Sequence, residues 1–210
     1  MILKMRRLLN IDKRIIAKKS LGQNFIHNKN FLEELSNNIL SSNETDIIEI
    51  GPGTGSLTKY LEKGQFNNLI LIEKDIKLSK ILYERYKSNN NIKVLNEDAL
   101  TFDLSKLSVS KNIIIVGNLP FNISSQLLLN WISYDTWPPF YNKMYLMFQK
   151  ELGKRIISKI NNKSYGKLSV LTQSRCDVKE LIKAPSHIFY PKPKVDGMVI
   201  EFTPIDTFID

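Results

Sequence analysis

Hydrophobic residues occur along this chain in two alternating patterns, short continuous runs and longer runs with helical spacing. The continuous runs are rich in β-branched residues and predict buried strands, whereas the spaced runs predict amphipathic helices. Apolar strands that alternate with helices are typical of a mostly parallel sheet with helices on both faces. The chain is therefore predicted to be an α/β protein. The predicted strands cover 46–50, 69–73, 92–95, 112–117 and 143–148, and the predicted helices cover 31–40, 57–61, 78–86 and 123–132.

The last third of the chain changes character. Helical spacing continues at 151–160 and 168–175, but 178–182 and 198–202 alternate like strands on either side of the proline-rich segment 189–195. No internal repeat or low-complexity linker divides the sequence, so we predict a single domain. The predicted divisions are a basic arm over 1–19, the domain over 20–204 and a tail over 205–210.

The composition is that of a folded protein with a polyanionic partner. Of the 210 residues, 42% are hydrophobic and 24% are charged, which excludes disordered and fibrous classes. Thirty Lys and Arg against 21 Asp and Glu give a net charge of +9, which favours nucleic acid over an anionic membrane surface. The positive charge is concentrated in the arm and in 150–194. We interpret the arm as an RNA-contacting segment, with a solvated tail or an organelle-targeting presequence as alternatives.

Membrane insertion, secretion and metal chemistry are not predicted. No apolar run approaches the ~20 residues that cross a bilayer, and no secretory signal is visible. The single cysteine, Cys176, excludes a disulfide framework, and two histidines leave little for a metal. We expect Cys176 to be buried, His27 to lie in a loop or cap a helix, and His187 to lie at the surface. The prediction is a monomeric cytoplasmic protein, with an organellar matrix as the alternative if the arm is a presequence.

A glycine-rich turn and two acids follow three successive predicted strands. The turn at 51–55 lets a ligand approach the backbone closely, but it fits neither the phosphate-loop nor the dinucleotide pattern, and Pro52 removes an amide donor. Glu73 lies where an acid typically binds ribose hydroxyls, and Asp98 could accept a hydrogen bond from an adenine amino group. The alternatives are a surface acid for Glu73 and a helix cap for Asp98. Together these features predict a nucleoside pocket without a phosphate site, which indicates S-adenosylmethionine.

The most specific segment is Asn-Leu-Pro-Phe at 118–121, directly after the fourth predicted strand. An aromatic amine is a poor nucleophile, but the side-chain oxygen of Asn118 and a backbone carbonyl can accept its protons and bring the nitrogen toward tetrahedral geometry. Pro120 stiffens the loop, and Phe121 offers a ring on which a base can stack. The predicted catalytic residues are therefore Asn118, Leu119, Pro120 and Phe121. An ordinary strand-to-helix turn with a buried Phe121 is the alternative.

Five segments resemble, in order, the motifs of the ribosomal RNA adenine dimethylases, the KsgA family. They are Lys-Ser-Leu-Gly-Gln-Asn-Phe at 19–25, Glu-Ile-Gly-Pro-Gly-Thr-Gly at 49–55, Asn-Leu-Pro-Phe-Asn-Ile-Ser at 118–124, Tyr-Gly-Lys-Leu-Ser-Val at 165–170 and Phe-Tyr-Pro-Lys-Pro-Lys-Val-Asp at 189–196. The resemblance implies a Rossmann-like, S-adenosylmethionine-dependent methyltransferase fold. It also implies dimethylation of the exocyclic amines of two adjacent adenosines near the 3′ end of small-subunit ribosomal RNA, in the subunit or its assembly precursor.

The resemblance also implies roles for single residues. Phe121 and Phe189 are implied to clamp the target adenine after it leaves its stack. No general base is required, because the proton can leave after the amine has attacked. The implied donor-binding residues are Asn24, Ile26, Gly51, Gly53, Glu73, Asp98, Ala99 and Asn118.

Two departures and two rival interpretations accompany this resemblance. Gly197 stands where the family usually has serine, and the chain stops at Asp210, so we expect the family's usual C-terminal helical domain to be absent. The rivals are an erythromycin-resistance methylase of large-subunit RNA and a non-catalytic nucleic-acid-binding relative. Leu119, Pro52 and Asp196 favour the small-subunit enzymes over the first rival, and the intact 118–121 segment favours catalysis over the second.

Overall fold

The computed structural model describes residues 22–40, 45–107 and 112–206. The basic arm and residues 207–210 lie outside these ranges, so the role of the arm and the predicted domain bounds stay predictions. In the described ranges, no helix is both long enough and apolar enough to cross a bilayer.

The strands and helices follow the predicted alternation, and all but one of the predicted elements end within two residues of their predicted bounds. The strands are β1 Phe25–Ile26, β2 Asp46–Ile50, β3 Asn68–Ile72, β4 Ile92–Leu95, β5 Ile113–Gly117, β6 Lys143–Gln149, β7 Cys176–Ala184, β8 Phe189–Tyr190 and β9 Gly197–Pro204. The helices are α1 Lys29–Ile39, α2 Thr58–Leu61, α3 Ile76–Tyr86, α4 Ser124–Ile132, α5 Lys150–Ile156 and α6 Lys167–Gln173, with 3₁₀ turns at Leu104–Lys106 and Ser186–Ile188.

Seven strands form one sheet in the order β4-β3-β2-β5-β6-β9-β7. The first five are parallel to one another, and β9 pairs antiparallel with both β6 and β7. The predicted mostly parallel α/β sheet is therefore confirmed. Because β2, β3, β4 and β5 run in the same direction, the loops that follow them emerge at one edge of the sheet.

Two hydrophobic cores cover the two faces of this sheet. Successive side chains of a strand point to opposite faces, so Ile47 of β2 packs in one core and Ile48 packs in the other. Helices α1, α2 and α3 cover the first core, whereas α4 and α5 cover the second. Cys176 begins β7 and is buried, as predicted, and burial raises the pKa of its thiol to about 12.

Two features differ from the sequence-based expectations. The helix predicted over 151–160 ends at Ile156. The Gln173 side-chain amide donates to the backbone carbonyls of Ile156 and Ser158, each at 2.8 Å. These carbonyls therefore have hydrogen-bond donors although the helix does not continue. The two-residue strands β1 and β8 were not predicted. They pair antiparallel, with Phe25 opposite Tyr190 and Ile26 opposite Phe189.

Candidate active site

A cavity opens at the sheet edge where β2, β3, β4 and β5 end. Its floor is the glycine turn after β2, and its walls come from the loops after β3, β4 and β5 and from the segment 22–26. The cavity therefore gathers residues that are far apart in sequence. Eleven of the twelve predicted site residues line it: Asn24, Ile26, Gly51, Gly53, Glu73, Asp98, Ala99, Asn118, Leu119, Pro120 and Phe121.

The glycine turn is shaped by two residues with left-handed backbone. Gly51 has φ +64° and Gly53 has φ +60°, values that residues with a side chain rarely adopt. No atom lies within 4 Å of the place where a Cβ of Gly51 would be, so this position leaves room for a ligand. At Gly53 a Cβ would lie 2.9 Å from the Phe25 ring, so the glycine allows the segment 22–26 to pack directly against the turn.

Glu73 holds this turn to the end of β3. Its carboxylate is buried and accepts hydrogen bonds from the amide of Gly53, at 3.0 Å, and from the amide of Asp75, at 2.8 Å. A carboxylate has about four acceptor sites, which suits a residue that accepts from several donors at once. The predicted alternative, a surface acid, does not describe this residue, which is 6% exposed.

Glu49 also lines the cavity and was not among the predicted site residues. It lies on β2, is 3% exposed and accepts a hydrogen bond of 2.7 Å from the Thr58 hydroxyl. Burial raises the pKa of Glu49 to about 7, the Thr58 hydrogen bond opposes this rise, and the charge of Glu73 adds to it. The sequence offered two signals, because Glu49 is an acid between isoleucines in a strand predicted to be buried and is also the first residue of the family-like segment 49–55.

Asp98 has both of its predicted positions, because it caps a turn and also lines the cavity. Its Oδ1 accepts from the Leu100 amide at 3.1 Å, which caps the following turn, and the residue also lines the cavity. Its Oδ2 lies 2.6 Å from the Lys74 ammonium. Burial acts to raise the pKa of Asp98, but the hydrogen bonds from Lys74 and Leu100 outweigh it and hold the pKa below its ordinary value.

The Asn118 side chain has a defined orientation at the end of β5. Its Nδ2 donates a hydrogen bond of 2.8 Å to the backbone carbonyl of Asn24. Because the amide nitrogen donates to Asn24, the Oδ1 atom is the side-chain atom of Asn118 that remains to accept a hydrogen bond from a ligand. The sequence indicated that Asn118 is an acceptor but not what orients it.

In the rest of the 118–121 loop, Leu119 anchors the loop in the core and Phe121 is partly exposed to the cavity. Leu119 is buried in the core on the α4 face and fixes the loop to the sheet. Phe121 is half-buried and lines the cavity, so its ring is available to a base. This exposure distinguishes it from the fully buried phenylalanine of an ordinary turn.

The structure places Phe189 away from the cavity, and its predicted stacking role stays a prediction. Its side chain is 1% exposed, packs in the core beneath α1 and does not line the cavity, because its strand β8 pairs with β1. Strand β8 holds β1 and with it Asn24, whose carbonyl orients Asn118.

No metal site emerges among the described residues, where no group of three or more His, Cys, Asp or Glu side chains is arranged to hold an ion.

His187 is exposed, as predicted. His27 lies in the short loop between β1 and α1, as predicted, and burial, followed by the charge of His187, lowers the pKa of its imidazole.

Comparison with known proteins identifies the family. The sequence matches the ribosomal RNA adenine dimethylases over residues 15–210. The chain belongs to this family. It is 39% identical over 192 residues to ribosomal RNA small subunit methyltransferase A of Pelagibacter ubique, and 42% identical over 192 residues to that of Bartonella tribocorum. These alignments cover 91% and 90% of this chain but 72% and 69% of the two relatives.

Solved structures place this dimethylase-family chain in the same fold class. A dimethyladenosine transferase from Plasmodium falciparum superposes with a TM-score of 0.75 at 26% identity, over 86% of this chain and 63% of that one. The 23S rRNA methyltransferase ErmE superposes with a TM-score of 0.74 at 21% identity, over 89% and 72% of the two chains, and shares the fold. The predicted Rossmann-like methyltransferase fold is confirmed.

The raised pKa of Glu49 predicts a pH-dependent stability difference in this dimethylase-family chain. The folded state holds the Glu49 proton up to about pH 7, whereas an unfolded glutamate releases it near its ordinary pKa of 4.5. Stability from this group is therefore full below pH 4.5 and is lost as the pH rises to about 7. Replacing Glu49 with Gln, which can still accept from Thr58, should raise the free energy of unfolding more at pH 8 than at pH 5, by roughly 2–3 kcal/mol.

Urea unfolding of the parent and Glu49→Gln at the two pH values measures this difference. Glu62→Gln, which changes an exposed glutamate, serves as the control and should show no such pH dependence. An equal stability difference at pH 5 and pH 8 would show that Glu49 ionises normally.

The burial of Phe189 generates a second prediction. Phe189→Ala should lower the free energy of unfolding by about 3–5 kcal/mol because a buried ring leaves a cavity. Phe121→Ala should lower it much less, since Phe121 is only half-buried. Thermal and denaturant unfolding measure both effects. A Phe189→Ala variant with parental stability would show that this ring contributes little to the core.

Proposed function

We propose that this chain transfers two methyl groups from S-adenosylmethionine to the exocyclic amine of each of two adjacent adenosines near the 3′ end of small-subunit ribosomal RNA. The observation that carries the proposal is the orientation of Asn118, whose amide nitrogen is bound to the Asn24 carbonyl so that its oxygen is left for an amine. The relatives named small subunit methyltransferase A support the choice of RNA.

The charge of the cavity supports the proposed methyl donor. The lining residues that the structure describes include four carboxylic acids and a single cation, Lys74. An acidic cavity repels phosphate groups and attracts the cationic sulfonium of S-adenosylmethionine. The four acids are Glu49, Glu73, Glu97 and Asp98.

Individual residues suit separate parts of the donor. Glu73 would accept from the ribose hydroxyls and Asp98 from the adenine amino group, because each holds a carboxylate at the end of its strand. Gly51 offers open space beside the turn for the methionine part. S-adenosylmethionine, when bound, supplies a methyl group on a positively charged sulfur.

The loop 118–121 would prepare the attacking amine. Asn118 Oδ1 and a backbone carbonyl of the loop accept hydrogen bonds from the amine N–H groups and localise the nitrogen lone pair toward the methyl group. The nitrogen–methyl bond forms as the sulfur–methyl bond breaks, and the proton then leaves the methylated nitrogen for solvent. Phe121 holds the base by stacking, so most of the rate enhancement comes from alignment.

A basic surface on α5, α6 and their connection supports RNA binding. Residues 150–175 contain seven Lys and Arg and one acid. Five of these cations are exposed and form no ion pair within the part of the chain that the structure describes. Such a surface attracts the phosphate backbone. The five are Lys154, Arg155, Lys159, Lys163 and Lys167.

The direct test is transfer of labelled methyl to small ribosomal subunits that lack the modification, with large subunits and free RNA assayed in parallel. Label in adjacent dimethyladenosines of the small subunit is the expected result. Label in the large subunit would select the resistance-methylase alternative. RNA binding without methyl transfer would select a non-catalytic relative.

Removal of the Asn118 amide gives a specific prediction. Asn118→Ala should lower the rate of methyl transfer by about 10²–10³-fold, the effect typical of losing one oriented polar group at a reaction centre. Donor binding should weaken and RNA binding should be largely kept. Asn130→Ala, on the exposed face of α4, is the control and should leave the rate unchanged. An active Asn118→Ala enzyme would refute the proposed role.

Neutralising the basic surface should weaken RNA binding without changing donor binding. The double variant Lys159→Ala and Lys163→Ala should lower RNA affinity and reduce the slope of log affinity against log salt by about one for each phosphate that is no longer neutralised. The matched control removes Lys80 and Lys93, which are exposed near the β4 edge of the sheet. Equal reductions in affinity from the two double variants would show that net charge, not this surface, governs binding.

A further inference from the structure

Lys74 and Asp98 form an ion pair at the rim of the cavity, across the ends of the adjacent strands β3 and β4. The Lys74 Nζ atom lies 2.6 Å from Asp98 Oδ2, and both residues line the cavity. The Lys74 side chain is 57% exposed and that of Asp98 is 27% exposed. The pair therefore lies between the cavity and solvent.

Both ends of this ion pair are fixed by further hydrogen bonds. The Asn96 side-chain amide donates to the carbonyls of Glu73, at 2.8 Å, and Lys74, at 3.2 Å, and so ties the backbone on both sides of the Lys74 Cα to the β4 loop. The Leu100 amide donates to Asp98 Oδ1 at 3.1 Å. The backbone therefore holds Oδ1, and Oδ2 is the oxygen at which the Lys74 ammonium and a ligand's amino group would meet.

We propose that Lys74 competes with the adenine of the methyl donor for Asp98, so that the donor enters this end of the cavity by displacing an ion pair. This inference rests on the proposed function, in which Asp98 accepts from the adenine amino group. Lys74 is then a residue that sets donor affinity without being required for methyl transfer. The displaced ammonium moves into solvent, toward which its side chain is already largely exposed.

The competition explains why a cation lies in an otherwise acidic cavity. Glu97 also lines this end, so withdrawal of the ammonium leaves two carboxylates beside the adenine amino group. An exposed ion pair contributes little free energy, so its loss should change donor affinity by about 2–5-fold. Salt screens such pairs, so the effect should shrink at high ionic strength.

Binding measurements on the whole chain test this proposal with three ligands that share the same adenine. S-adenosylmethionine, S-adenosylhomocysteine and adenosine differ in net charge, and calorimetry at about 0.05 M and about 0.5 M salt gives each affinity under weak and strong screening. The test variant is Lys74→Met, which keeps an unbranched stem and removes the charge. The control is Lys80→Met, which removes an exposed charge on α3.

The proposal predicts that Lys74→Met binds all three ligands about 2–5-fold more tightly than the parent at low salt, with a smaller gain at high salt. Lys80→Met should bind like the parent. A gain confined to the cationic ligand, or unchanged or weaker binding by Lys74→Met, would overturn the competition while leaving the proposed donor intact. Failure of the parent to bind any of the three would refute both the donor assignment and the competition.

Discussion

The hydrogen bond between the Asn118 amide and the Asn24 carbonyl joins the two halves of the candidate site. Asn118 ends a central strand of the sheet, while Asn24 belongs to a segment that is held from outside the sheet by the pairing of β1 with β8. The same segment packs against the glycine turn through Phe25 and Gly53. One short stretch of chain thus fixes the turn, the amide and the wall of the cavity.

Electrostatics divides the molecule into an acidic cavity and a basic exterior. Acids collect at the carboxyl ends of β2, β3 and β4, where one of them, Glu49, is buried deeply enough for its pKa to reach about 7. A group of exposed cations lies on α5, α6 and their connection. This separation suits a reaction in which a cationic donor enters a pocket and a polyanionic substrate lies against the surface outside it.

Most of the fold and the composition of the cavity could be predicted from the sequence, because both depend on local patterns. An apolar run such as β2 specifies a buried strand, and parallel strands bring whatever follows them to one edge, so Glu73, Asp98 and Asn118 meet there. The family resemblance assigned Phe189 to that edge, but the direction of its ring is determined by the pairing of β8 with β1. These two strands have two residues each, and neither is predicted without the other. The burial of Glu49 follows from that of β2, but its hydrogen bond from Thr58 joins the strand to α2 and leaves no local signal.

A crystal structure of the chain with S-adenosylhomocysteine and adenosine would show which atoms the Asn118 amide contacts. We predict that the adenosine amine lies within about 3 Å of one terminal atom of Asn118 while the other stays on the Asn24 carbonyl, which identifies the first atom as oxygen. An Asn118 amide that has left Asn24, or an adenosine amine bound elsewhere, would contradict it.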